Sequence, residues 1–206
     1  PGVHESIGDT AVYGEDRVFI LIQTQTQPLD KNIFMTAEKT GQPVISIKID
    51  DLYSLGGQFF TWEYAIAVAG YALDINPFNQ PNVESAKIRA RKMIDEYQES
   101  GSLPEAPQAS FKNQEFDKFL APAMFGDYIA IHAYLPYDDK GYHLLQNIRI
   151  QLRDKYKLAT TLGYGPRFLH STGQLHKGDR GNGKFIQFFS TSDLEIPIPV
   201  EPGTTE

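Results

Sequence analysis

The sequence predicts an α/β protein, specifically a three-layer α/β/α sandwich on a mostly parallel sheet of about five strands. Three observations carry this reading. Short apolar runs alternate with longer amphipathic stretches. The apolar runs have strand length and the amphipathic ones helix length. Gly, Pro and Asn punctuate the joins. Strands and helices in alternation imply a parallel sheet with helices on both faces.

Each element follows from its residues. Residues 18–24 (Val-Phe-Ile-Leu-Ile-Gln-Thr) read as a buried strand, and residues 31–41 as a helix ending at Gly41. Residues 43–49 alternate with period two, which predicts a strand with one face less buried. Residues 57–73 are apolar almost throughout and too long for a strand, so they read as a core helix whose only charge is Glu63. Residues 82–99 form an amphipathic helix closed by Gly101. Residues 100–126 carry three Pro and read as a linker or excursion. A strand over 127–135, a helix over 139–155 and a strand over 158–162 follow. That strand runs into Gly163-Tyr164-Gly165-Pro166, then a helix, then a last strand over 185–189. Residues 1–191 thus make one domain, and 192–206 a polar, Pro-rich tail. In such folds ligands sit beyond the carboxyl ends of the strands, so the loops after strands matter most.

Composition narrows the function. The chain has 206 residues, 41 % of them hydrophobic and 22 % charged, enough for one sizeable core. It has no Cys, which excludes disulfides, a thiolate nucleophile and Cys-ligated metal, and fits a reducing, cytoplasmic setting. A net charge of −7 argues against broad contact with nucleic acid or anionic membrane. No run approaches the roughly 20 apolar residues of a membrane span, and no leader pattern opens the chain. The first residue is Pro1, so the chain is expected to be processed or to be a piece of something longer.

Two segments concentrate candidate chemistry. In the first, Asp74–Gln80 makes a rigid turn before a helix on which Val83, Ala86, Ala90, Met93, Ile94 and Tyr97 share one face. Lys87 falls at the edge of that stripe. It could serve as a proton donor or anion anchor, or simply extend its ammonium to solvent. In the second, Pro166 suits the first position of a helix whose free N–H groups could hold an anion. Arg167, His170, Ser171 and Gln174 would then share one face. Two of the five His, His170 and His176, fall here. They are six apart, do not share a helix face and have no third His nearby, which argues against zinc. An ordinary polar helix is the alternative. Glu63, on its apolar helix, is expected to be structurally paired. His4, in polar surroundings, reads as solvent-facing; His143, early in an amphipathic helix, has no evident partner; His132 reads as a satisfied sheet residue.

The stretch from Leu55 to Lys87 resembles the phosphoglucose isomerase family. Leu55-Gly56, Trp62-Glu63-Tyr64, Asp74-Ile75-Asn76-Pro77-Phe78-Asn79-Gln80 and Val83-Glu84-Ser85-Ala86-Lys87 follow the family's order. Asp74 to Lys87 needs no gap, although Pro77, Asn79, Pro81-Asn82 and Ser85-Ala86 depart from the pattern. Leu158 to Gly178, with Gly165-Pro166-Arg167-Phe168-Leu169-His170-Ser171-Thr172-Gly173-Gln174-Leu175-His176, resembles the C-terminal part of bacterial transaldolase–phosphoglucose isomerase fusions.

The resemblance implies the second of two sugar-isomerase (SIS) sandwiches. It implies interconversion of glucose 6-phosphate and fructose 6-phosphate through an enediol, without metal or cofactor. Lys87 would assist ring opening and Gln80 would bind substrate hydroxyls. His176, within Gln174-Leu175-His176-Lys177-Gly178, is the nearest match to the family's active-site histidine, although the motif's place along the chain differs. His170, Arg167 and Ser171 are expected near the sugar phosphate. A Glu-Ser-x-Gly-Lys motif and the phosphate cradle are absent and are expected on an N-terminal SIS domain of the same full-length chain. A homo-oligomer is a further expectation. Two other readings compete: a non-catalytic sugar-phosphate-binding or assembly module, and a nucleotide-binding domain resting only on Gly163 and Gly165.

Overall fold

A computed structural model describes residues 8–103, 109 and 114–190. The predicted tail, His4 and much of the Pro-rich excursion lie outside these residues. The elements run β1 (Phe19–Thr24), α1 (Lys31–Lys39), β2 (Val44–Ile49), α2 (Ser54–Ala72), α3 (Pro81–Ser100) and α4 (Glu115–Leu120). They continue with β3 (Tyr128–Tyr134), α5 (Asp139–Tyr156), β4 (Ala159–Tyr164), α6 (Leu169–Gly178) and β5 (Gly183–Phe189). The chain is α/β and every strand pair is parallel. Among the described residues the five strands form two sheets rather than one, β1–β2 and β4–β3–β5.

The three-stranded sheet positions the site. β3 lies between β4 and β5, and six of its seven residues are buried. Its period-two alternation divides its side chains between two neighbourhoods. Ile129, Ile131 and Ala133 join Leu120, Leu145, Leu152, Leu158, Tyr164 and Ile186 in the hydrophobic core. Tyr128 and His132 instead meet rings from α6 and β5. Helix α5 begins cleanly because Asp138 accepts from the N–H of Gly141, an N-cap bond.

Several expectations need correction. Helix α2 is not a core helix: Phe60 is 70 % exposed and Tyr71 89 % exposed. Glu63 is exposed and is not a buried carboxylate. The stripe on α3 stays open, with Met93, Ile94 and Tyr97 all exposed. Apolar composition created the expectation of burial, but among the described residues α6 meets only the start of α3 and leaves the stripe beyond it open. The excursion contains α4, whose Leu120 is fully buried against the core, so it is not merely a linker. Helix α6 starts at Leu169 rather than at Pro166, which follows a cis peptide bond after Gly165. The strand expected to end at 162 runs on to Tyr164, with Gly163 paired to His132 inside the sheet.

Two substitutions separate the real core from the apparent one. Ile131→Ala should cost about 2–5 kcal/mol of stability in urea unfolding. Phe60→Ser on α2 should cost under about 1 kcal/mol in this chain. Equal losses would contradict this division.

Candidate functional site

The site forms where α6 crosses the sheet. Gly163 permits the crossing, because a Cβ there would lie 2.7 Å from the Cβ of Phe168. Phe168, buried, then lays its ring 4.4 Å from that of His132. About two turns into α6, His176 comes to 4.9 Å from His132, centroid to centroid. Phe185 of β5 closes the group at 5.4 Å from His132 and 5.5 Å from His176. Two imidazoles thus sit in an aromatic box.

His176 is half-buried and its Nδ1 lies 3.2 Å from the hydroxyl of Tyr128. That hydroxyl donates to Asp179 Oδ2 at 2.8 Å. Burial lifts the Tyr128 hydroxyl well above its ordinary pKa, and Asp179 adds to the effect. Burial also pushes His176 down, while the Asp179 charge pulls it up. His132 is 5 % exposed and, among the described residues, neither ring nitrogen has a hydrogen-bond partner. Burial and, secondarily, the nearby His176 push it down to about 4. It is therefore neutral at pH 7.

Both histidines line a cavity of about 150 Å³ that reaches Gln146 and Arg149 of α5. The buried Arg149 donates through Nε to Gln146 Oε1 at 2.7 Å and through Nη1 to the Thr160 carbonyl at 3.4 Å. An imidazole wired to a carboxylate through a phenol, beside a cavity, can accept or donate a proton to a bound molecule. Among the described residues no group of three His, Cys, Asp or Glu could hold a metal ion. No described helix is long and apolar enough to cross a membrane.

The predicted site residues separate. His176 lies in the box. His170, Arg167 and Ser171 are exposed on the outer side of the same segment. Ser171 donates back to the Phe168 carbonyl at 3.1 Å, yet still borders the cavity. Arg167 lies over the Tyr137 ring at 6.0 Å. Gln80 is the exposed residue that precedes Pro81 at the start of α3. Lys87 is exposed and pairs with Glu84 at 3.7 Å. The start of α3 does meet α6, since Gln174 donates to Asn82 Oδ1 at 2.8 Å. His132, Tyr128, Asp179 and Arg149 were not legible as site residues. The one available signal was a histidine interrupting an apolar strand, and His132 is not the satisfied sheet residue expected there. His143 is exposed and meets Tyr142 edge-on at 5.9 Å.

No family model matches the chain, and no solved structure does. Segments of it are similar to curated proteins named glucose-6-phosphate isomerase. One from Pediococcus pentosaceus is 49 % identical over 49 residues, 23 % of this chain and 11 % of that protein. One from Latilactobacillus sakei is 45 % identical over 49 residues, covering the same shares. One from Mycoplasmopsis pulmonis is 28 % identical over 109 residues, 42 % of this chain and 26 % of that protein. The chain thus spans roughly a tenth to a quarter of the length of these relatives.

His132 has a consequence for acid stability. Unfolded, it takes up a proton near its ordinary pKa of about 6.5; folded, near 4. Between those values the unfolded chain binds more protons, so stability rises with pH. The contribution, about 3 kcal/mol at most, is present above pH 6.5 and lost as pH falls through 4. His132→Phe should flatten that slope in urea unfolding followed across this range. An unchanged slope would remove His132 as its source.

Proposed function

We propose that this chain is the C-terminal sugar-isomerase domain of a glucose-6-phosphate isomerase, fused in the full-length protein to a transaldolase. The observation that carries the reading is the His176 box, an imidazole set beside a cavity that Gln146 and Arg149 also line, in the segment that resembles the fusion enzymes. The similarity of chain segments to glucose-6-phosphate isomerases supports it. In this reading the substrate is a six-carbon sugar phosphate. His176 acts as acid and base in ring opening. Lys87 stabilises charge near the ring oxygen, Gln80 binds hydroxyls, and Arg167, His170 and Ser171 border the phosphate sugar. A carboxylate from an N-terminal SIS domain then moves the proton between C1 and C2 through the enediol. The setting is cytoplasmic.

Exposure supports the need for a second part. Lys87, Gln80, His170 and Arg167 all face outward. Helix α2 is apolar almost all round, and such a helix is stable in water only when covered. We assign its cover to the N-terminal SIS domain of the full-length chain. A homo-oligomer formed through α2 is the competing outcome, and light scattering on the isolated chain decides between them.

This chain alone should fail to interconvert glucose 6-phosphate and fructose 6-phosphate in a coupled assay; turnover would refute the split-site reading. Tight binding of fructose 6-phosphate without turnover would favour the non-catalytic binding module instead. In the full-length enzyme, Lys87→Ala should lower kcat by about 10²-fold, and a near-normal rate would exclude Lys87 from the mechanism.

A further inference from the structure

Tyr128, His176 and Asp179 share more than proximity. Sheet register places Tyr128 opposite Gly183. The Gly183 N–H donates to Asp179 Oδ2 at 3.1 Å, and the Gly181 N–H donates to Oδ1 at 2.9 Å. A Cβ at Gly183 would fall 2.6 Å from Oδ2, so glycine is what lets the carboxylate lie there. The turn after α6 thus holds Asp179 against the first residue of β3.

The bond directions then follow from the inventory of hydrogens. Tyr128 has one hydroxyl hydrogen and donates it to Asp179 at 2.8 Å. Its oxygen can only accept from His176 Nδ1, at 3.2 Å. Nδ1 must therefore carry a hydrogen, and the lone pair of the neutral ring resides on Nε2. No described residue bonds to Nε2. His132, the nearest titratable ring, donates nothing to it and carries no charge at pH 7.

We propose that Tyr128 and Asp179 are positioning residues that lock His176 in its Nδ1–H tautomer, leaving Nε2 as the atom that exchanges a proton with substrate. The catalytic consequence rests on the reading of His176 given under Proposed function; the tautomer does not. When Nε2 takes a proton, the Nδ1 hydrogen stays on the ring. Asp179 then balances the imidazolium charge through the Tyr128 hydroxyl, which keeps its own hydrogen.

Long-range nitrogen–proton NMR on this chain at neutral pH, without sugar, reads the tautomer directly. The His176 signals are assigned by their loss in His176→Gln. The Nδ1–H form should dominate in the unsubstituted chain. Tyr128→Phe, which removes the acceptor, should shift the ring towards Nε2–H, and Asp179→Asn should do so in part. A dominant Nε2–H form in the unsubstituted chain would overturn the proposal, and so would a tautomer unchanged in both folded variants. Should Tyr128→Phe fail to fold, the unsubstituted spectrum and Asp179→Asn still decide. A failed tautomer leaves the isomerase reading standing. A correct tautomer with a full-length enzyme inactive on hexose phosphates would sink the isomerase reading alone.

Discussion

Parallel pairing of β3 on both edges is the constraint on which the site depends. One register sets Tyr128 opposite Gly183 and His132 opposite both Gly163 and Gln187. The period of two then sends isoleucines to the core and the phenol and imidazole to α6. A slip of one residue would exchange those sets, placing Tyr128 and His132 among core aliphatics and breaking the contacts to His176 and Asp179. The hydrophobic demand of Ile129 and Ile131, both fully buried, therefore also aligns the polar groups.

The site is expensive to maintain. Burying His132 without a hydrogen-bond partner forfeits solvation that nothing described repays. Its ring is held by tilted ring contacts to Phe168, Phe185 and His176, which supply dispersion but no polar partner. Such unrepaid cost is common where a protein keeps a cavity ready for a ligand. Asp179 is the opposite case, since it accepts from Tyr128 and from two backbone N–H groups. One half of the site is therefore fully bonded and rigid, and the other is open to a bound molecule.

Helices α2 and α3 show where local reading misleads. Hydrophobicity reports how much an element gains from burial, not whether a partner is at hand. The type of the long periodic elements followed from periodicity, because 3.6 and 2.0 are properties of the backbone and need no neighbour; their ends, such as the start of α6 at Leu169, did not. For α2 the residues dictated a helix correctly, while its open surface depends on which other elements lie beside it. Likewise the stripe of Met93, Ile94 and Tyr97 marks a face to be covered, not one already covered.

By itself the sequence determined the α/β class, the strand–helix alternation, the helical nature of residues 57–73 and 82–99, and the resemblance that singles out His176, Lys87 and Gln80. Those follow from nearest-neighbour periodicity and from residue order. Only the tertiary structure decided that the strands divide into two sheets, and that His176 enters the site while His170 faces outward. It alone joined Tyr128, His132, Asp179 and Arg149 to that histidine. Tyr128 and Asp179 are 51 residues apart in the chain, and a hydrogen bond over such a separation exists only once register has been set. No local pattern encodes that register; it is fixed by the shared burial of three strands.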